Sequence, residues 1–170
     1  MSLSPKFTAL AALLALAGCG FSPLYGGDAG QSASARLDQV AVDNIPERPG
    51  QMLRISLQTQ LYKDGAPATE LYALNVTYSI ATSDVGVLQD SATTRSRVQG
   101  TANWSLAPIG DPEHPLVKGT ATALDAANII DQQYFALDLE NDTLNQHLAD
   151  TVAAQITTQL AAWFRAHPNA

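Results

Sequence analysis

The stretch ELYALNVTYSIA, Glu70 to Ala81, alternates apolar and polar side chains along most of its length. Its larger apolar residues stand at every second position: Tyr72, Leu74, Val76, Tyr78 and Ile80. Successive side chains of a β-strand point to opposite faces, so this period of two predicts a strand with one buried face. The buried face must be covered by a second layer of the fold.

Two further segments carry strand patterns. Thr94 to Leu106 is a long one, and Leu116 to Leu124 is a weaker one with a glycine and small residues. We expect a turn at Ser83-Asp84 between the first two strands of this group and a loop at Pro108 to Pro115 before the third. In the Thr94 to Leu106 segment the two sets of alternate positions, here called parities, differ in polarity. One parity is apolar, with Val98, Ala102, Trp104 and Leu106, and the other is polar, with Arg95, Arg97, Gln99, Thr101 and Asn103.

Helical patterns flank these strands. A short strand in Leu37 to Ile45 is followed by Pro46, Pro49 and Gly50, which break it, and Met52 to Lys63 then repeats leucine every four residues. Gly65 is the expected stop for this helix. A longer helix is predicted to begin near Asn141-Asp142, either of which can cap it. Its apolar stripe is Leu144, Leu148, Val152, Ile156 and Leu160, with Trp163 close by.

The element order is therefore strand, helix, three strands, helix. It predicts an α+β two-layer sandwich with a mixed, mostly antiparallel sheet of about four strands and two main helices packed on one face. Tight connections make the later strands antiparallel, whereas the helix after the first strand permits parallel pairing for that strand.

Composition limits the function classes. The 170 residues suit one domain, and the net charge of −7 with only nine lysines and arginines argues against nucleic-acid binding. We find no catalytic motif, so we expect no enzyme and no cofactor. We also expect no metal site, since His114, His147 and His167 have no partners at metal-ligand spacing. The acidic set Asp138, Glu140 and Asp142 permits a cation site, but serving the positive end of the following helix is the preferred interpretation.

The N-terminus has the pattern of a secretion signal. Lys6 precedes the uncharged stretch Phe7 to Ala17, which as a helix would reach about 16 Å, against a hydrocarbon core of roughly 30 Å. The stretch is therefore too short to span a membrane and instead resembles the apolar part of a signal peptide.

The signal runs into Leu16-Ala17-Gly18-Cys19, which resembles the lipobox of bacterial lipoproteins. This resemblance implies that Cys19 is acylated and becomes the first residue of the mature chain. The alternative is an ordinary small residue in a cleaved signal. We accordingly divide the chain into a signal peptide (1–18), a lipidated N-terminus with a polar, glycine-rich tether (19–36) and a folded domain (37–170).

The basic pair Arg95 and Arg97 points the same way from its predicted strand. Two readings remain open: a solvated outer strand face, and a contact for an anionic headgroup or an acidic partner.

The opening of the mature chain, Cys19-Gly20-Phe21-Ser22-Pro23-Leu24-Tyr25-Gly26, resembles that of lipopolysaccharide-assembly lipoproteins of the LptE type, especially alphaproteobacterial ones. The resemblance continues through the first strand and the segment Ile45 to Gly50 into the first helix, and more loosely over the remaining elements.

The resemblance implies an outer-membrane lipoprotein, anchored through its lipid on the periplasmic side, that plugs an LptD-type β-barrel and helps it assemble. It also implies assistance to lipopolysaccharide insertion into the outer leaflet. No lysine or arginine stands at a position that clearly matches the basic residues of the family, so the candidate lipopolysaccharide or partner contacts are Arg95 and Arg97, chosen for their shared strand face. The alternatives are a generic outer-membrane lipoprotein that scaffolds another envelope complex, and a periplasmic ligand-binding domain.

Overall fold

The computed structural model describes residues 34–62, 65, 69–87, 93–128 and 134–168. A single helical turn at residues 34–37 leads into the domain. The elements that follow are β1 (Val40–Val42), α1 (Glu47–Leu61), β2 (Tyr72–Val87), β3 (Thr93–Pro108), β4 (Val117–Asn128) and α2 (Tyr134–Ala166).

The four strands form one sheet in the order β1-β2-β3-β4. β1 pairs with β2 in parallel, and the other two pairings are antiparallel. Helix α1 packs on β1 and β2, helix α2 packs on β3 and β4, and the two helices contact each other. The predicted α+β class, the mixed sheet and the parallel first strand are confirmed.

The predicted alternation explains which face the helices cover. Tyr72, Leu74 and Val76 of β2 are buried against the helices, as is the whole apolar parity of β3. The predicted stripe of α2 is buried as well, and Phe164 completes it by meeting Tyr72 edge-to-face with ring centroids 5.2 Å apart. The core therefore lies between one face of the sheet and the two helices.

The predicted turn at Ser83-Asp84 is wrong, because both residues lie inside β2. The pairing of β2 with β3 shifts register between Asp84 and Gly86 and again between Gly86 and Val87. A β-bulge of this kind absorbs an extra residue and lets a strand continue through a sequence that looks like a turn.

The predicted start of α1 at Met52 is also wrong, because the helix begins at Glu47. Pro49 is tolerated there because backbone N–H groups of a first helical turn have no partner inside the helix. Gly50 is needed for packing, since a Cβ at that position would lie 2.7 Å from Cγ2 of the buried Ile45. The predicted stop at Gly65 is wrong, because the helix ends at Leu61 and Tyr62 is its C-cap. Gly65 lies beyond the cap, where its φ of 104° suits a glycine in the connection that follows.

Helix α2 begins at Tyr134, not near Asn141-Asp142. Alanine, leucine and glutamate in the preceding residues are good helix formers and extend the helix upstream. Its first turn contains no acidic residue, so the acidic set Asp138, Glu140 and Asp142 does not serve the helix N-terminus as expected.

The chain enters the domain beside its own C-terminal end. Arg36, from the last part of the predicted tether, donates from its guanidinium to the carbonyl oxygens of His167 and Pro168, and Leu37 is buried in the core. Both ends of the described chain therefore lie at the same pole of the sheet.

Gly119 lies opposite Trp104 in the β3–β4 pairing, and a Cβ there would lie 2.5 Å from Cζ2 of the indole. We expect Gly119→Val to displace the indole and break its hydrogen bond to Gln159, lowering the free energy of unfolding by about 1–3 kcal/mol. Chemical denaturation measures this change. Lys118→Ala, the adjacent and exposed position, is the control; equal effects of both substitutions would contradict the packing argument.

Candidate functional site: the open face of the sheet

The face of the sheet away from the helices, here called the open face, is formed by the alternate residues of β2, β3 and β4. Cross-strand partners share a face, so the pairing arranges these residues in rows. From one end to the other the rows are Ser83–Arg97–Ala126, Ala81–Gln99–Leu124, Ser79–Thr101–Thr122, Thr77–Asn103–Thr120 and Asn75–Ser105–Lys118. Thr101 and Ser105 are half-buried and the others are exposed.

The central rows carry hydroxyl and amide groups. Thr120 Oγ1 donates to Asn103 Oδ1 at 3.0 Å, and Gln99 Nε2 donates to Thr101 Oγ1 at 3.4 Å. In these five rows only Arg97 and Lys118 are charged, and they lie at opposite ends. Hydroxyl and amide groups both donate and accept hydrogen bonds. The open face therefore offers a broad neutral surface that can bond to many polar partners.

The structure describes the side chain of only one of the two basic residues, Arg95 and Arg97, that the sequence proposes as contacts. Arg97 is exposed on the open face, on the parity predicted for it. The backbone of Arg95 pairs with Gly86 and Asn128, but its side chain lies outside the described part of the protein.

Side chains of α2 cover part of the free edge of β4. Gln155 accepts from the N–H of Thr122 at 3.1 Å and donates to the carbonyl of the same residue at 2.9 Å. Gln159 donates to the carbonyl of Thr120 at 3.2 Å while its oxygen accepts from the Trp104 indole. These primary amides replace a neighbouring strand, which blocks strand addition at this part of the edge.

The opposite edge, at β1, is covered in a similar way. The Tyr62 hydroxyl donates to the carbonyl of Val40 at 2.8 Å, and Arg54 Nε donates to the carbonyl of Val42 at 3.4 Å. Burial raises the pKa of the Tyr62 hydroxyl, and hydrogen bonding with the backbone of Val42 opposes that rise. At both covered edges a further strand cannot add without displacing these bonds.

The two helices are joined by a polar network. Ser56 is buried and donates to Asp150 Oδ1 at 2.6 Å, and Gln146 donates to both groups. Arg48 pairs with Asp142 at 2.6 Å at one end of the interface. The open groove beside this network, next to Met52, is thus lined by carboxylates that already have partners.

Each histidine has a local partner. His114 lies 2.7 Å from Asp111, and His147 lies 2.8 Å from Asp125, whereas His167 stacks on Trp163 with ring centroids 4.8 Å apart. The hydrogen bond from His147 holds the pKa of Asp125 below its usual value, helped by the N–H of Ala126. Across the described ranges no three histidine, cysteine or acidic side chains are placed to hold a metal ion.

The lipobox residues Leu16, Ala17 and Gly18 and the acylation site Cys19 lie outside the described residues. Acylation at Cys19 therefore stays a prediction. In the part of the chain that is described, no helix combines the length and the apolarity that a membrane crossing requires.

No family model matches this chain, and no curated protein does either. Solved structures do match. A candidate lipoprotein from Caulobacter crescentus CB15 superposes with a TM-score of 0.62 at 19% identity, covering 78% of this chain and 96% of that one. Rare lipoprotein B from Shewanella oneidensis gives 0.58 at 10% identity, covering 77% and 98%. A minor lipoprotein from Acinetobacter baumannii gives 0.56 at 18% identity, covering 73% and 91%. At these identities the likeness establishes the fold.

Edge protection by Gln155 is testable by Gln155→Leu, which keeps the side-chain size and removes both bonds to Thr122. We expect the free energy of unfolding to fall by about 1 kcal/mol, because the exposed backbone groups can bond to water instead. We also expect concentration-dependent self-association through the exposed edge, measured by sedimentation velocity. Thr158→Val on the same helix is the control, since the hydroxyl of Thr158 donates to the carbonyl of Ala154 within α2. A strictly monomeric Gln155→Leu protein would contradict the proposed role.

Proposed function

We propose that this protein is an LptE-type lipoprotein of the outer membrane, held on the periplasmic side through acylated Cys19. In this proposal the domain plugs an LptD-type β-barrel, helps it to assemble and assists lipopolysaccharide insertion into the outer leaflet. The eight-residue opening Cys19 to Gly26 supports the family. The shared fold with lipoproteins from three bacteria supports an envelope lipoprotein more broadly.

The observation that carries the plug role is the chemistry of the open face. The interior of a large outer-membrane barrel is polar. Rows of threonine, serine, asparagine and glutamine can bond to such a wall without burying an unpaired charge, which would be costly. The covered edges at β1 and β4 favour the same contact, because they leave the face as the larger docking surface.

The alternatives differ in what they require from this surface. A scaffold for another envelope complex would also use the lipid anchor, so only the identity of the partner separates it from the plug. A ligand-binding domain needs a pocket that encloses most of its ligand. The groove next to Met52 is open, and its carboxylates are bonded to Arg48, Ser56 and Gln146.

Pull-down from detergent-solubilised envelopes tests the plug role. We expect the acylated wild-type protein to retain one large β-barrel protein in a one-to-one complex. Thr77→Arg places a long charged side chain at the centre of the open face and is expected to reduce the recovered barrel about tenfold or more, because that charge would be buried without a partner. Thr158→Arg, on the exposed surface of α2, is the matched control and should retain the complex.

A wild-type protein that recovers no barrel would overturn the plug role, as would depletion that leaves barrel folding and lipopolysaccharide export unchanged. Equal recovery with Thr77→Arg and Thr158→Arg would show that the open face is not the contact surface.

Arg97 is the candidate lipopolysaccharide contact that the described side chains offer, since it is exposed at one end of the open face. We expect Arg97→Glu to weaken binding of purified lipopolysaccharide about tenfold, the loss of about one charge-assisted hydrogen bond. Isothermal titration measures it. Lys118→Glu makes the same charge change at the opposite end of the face. If both variants weakened lipopolysaccharide binding equally, the net charge of the protein would explain the effect, and a specific role for Arg97 would be contradicted.

A further inference from the structure

One corner of the open face is apolar, unlike the neutral polar rows beside it. We define the apolar corner as Leu71, Ala73, Ala107, Ile109 and Leu116. Leu71, Ile109 and Leu116 are 47%, 51% and 40% exposed. Ile109 donates its backbone N–H to the carbonyl of Leu71 at 3.0 Å, and the β2–β3 pairing places Ala73 opposite Ala107.

Ala107 lies at the centre of this corner. It lies on the parity of the open face, yet it is only 6% exposed. Helices α1 and α2 pack on the other face of the sheet, and the strand pairing places Leu71, Ile109 and Leu116 as the neighbours of Ala107 on this one. Leu71, Ile109 and Leu116 therefore form a coherent apolar surface around Ala107.

The surroundings of the corner select against an anionic occupant. The loop that joins Ile109 to Leu116 carries Asp111 and Glu113, both exposed, against one exposed cation, Lys118, in the adjacent row of the open face. These carboxylates would repel an acidic lipid surface and leave an uncharged apolar segment as the better match.

Such a segment lies close by in the chain. The N–H of Leu71 donates to the carbonyl of Gln39 at 3.0 Å, so the chain enters the sheet directly beside the corner. From Tyr25 to Ser34 an extended chain reaches about 30 Å, enough to pass around the end of the sheet. The stretch Phe21 to Tyr25 has no charge and contains phenylalanine, proline, leucine and tyrosine.

We propose that Phe21 to Tyr25 dock on the apolar corner. The contact fastens the start of the mature chain to the pole where both described ends of the domain meet. Only the residues between Tyr25 and Ser34 then act as a tether. Its consequence for the anchor rests on the proposed function: acylated Cys19 is held against this pole and thereby orients the domain on the membrane.

A double-mutant cycle on mature residues 19–170 carrying Cys19→Ser tests the contact in solution. The segment variant is Phe21→Ser with Leu24→Ser, the corner variant is Leu71→Ser with Ile109→Ser, and the third species combines them. We expect the segment variant to raise the unfolding equilibrium constant about tenfold by itself, because it loses two apolar contacts. In the combined species the same change should add less than about twofold, because the contact is already lost.

The matched control replaces the corner variant by Ile55→Ser with Leu124→Ser, which are 62% and 64% exposed at other places. With these, the effect of the segment variant should be fully additive. Additivity with the corner variant too would overturn the proposal.

Two other occupants give different results. A concentration-dependent dimer that the corner variant abolishes, with additive energies in the cycle, would assign the corner to a second copy and overturn the proposal. Binding of the Cys19→Ser chain to phosphatidylcholine vesicles, lost in the corner variant and again with additive energies, would assign it to lipid and also overturn it. No barrel protein takes part in these measurements, so their outcome is independent of the pull-down that tests the proposed function.

Discussion

The long antiparallel pairing of β2 with β3 is the constraint on which the rest of the molecule depends. Both strands have 16 residues, and their register places every apolar residue of one parity under the helices. A shift of one residue would exchange the two faces and expose Leu74, Trp104 and Leu106 to water. Trp104 fixes the register of the next strand as well, because its indole lies over Gly119 and leaves no room for a side chain there.

The same pairing creates the open face. Because the apolar parity packs against the helices, the side chains of the other parity face away from them, toward water or a partner. These side chains are mostly neutral and polar, whereas an ordinary solvent-exposed surface carries many charged residues. The helices reinforce this asymmetry by covering both edges with Gln155, Gln159, Tyr62 and Arg54. Of the two faces of the sheet, the one with neutral polar side chains is therefore the face that α1 and α2 leave uncovered.

Local periodicity in the sequence predicts the elements whose buried side chains recur at regular spacing. The alternation from Tyr72 to Ile80 and the stripe from Leu144 to Leu160 each identify an element and its buried face. The predictions were wrong where a local rule has an exception. Pro49 does not break α1, because it lies in the first helical turn, and Asp84 does not end β2, because the strand continues through a β-bulge. The hydrogen bonds from Gln155 to the edge of β4 could not be predicted from the sequence, because they depend on which side of α2 lies beside β4. The acylation of Cys19 is predicted from the lipobox motif and not from periodicity, and Cys19 lies outside the described residues.

The length of the strands relates the two ends of the open face to the proposed membrane setting. Along β3 the distance from Pro108, next to the apolar corner, to Arg97 is about 37 Å, at about 3.4 Å per residue. The hydrocarbon core of a bilayer is roughly 30 Å thick. In the proposed arrangement the pole with the apolar corner lies next to the lipid anchor in the periplasmic leaflet. A sheet that extends from there through a barrel lumen brings Arg97 to the level of the outer leaflet, where lipopolysaccharide resides. A sheet lying flat along the membrane would keep Arg97 on the periplasmic side, so contact between Arg97 and lipopolysaccharide in the outer leaflet requires the upright position in the barrel.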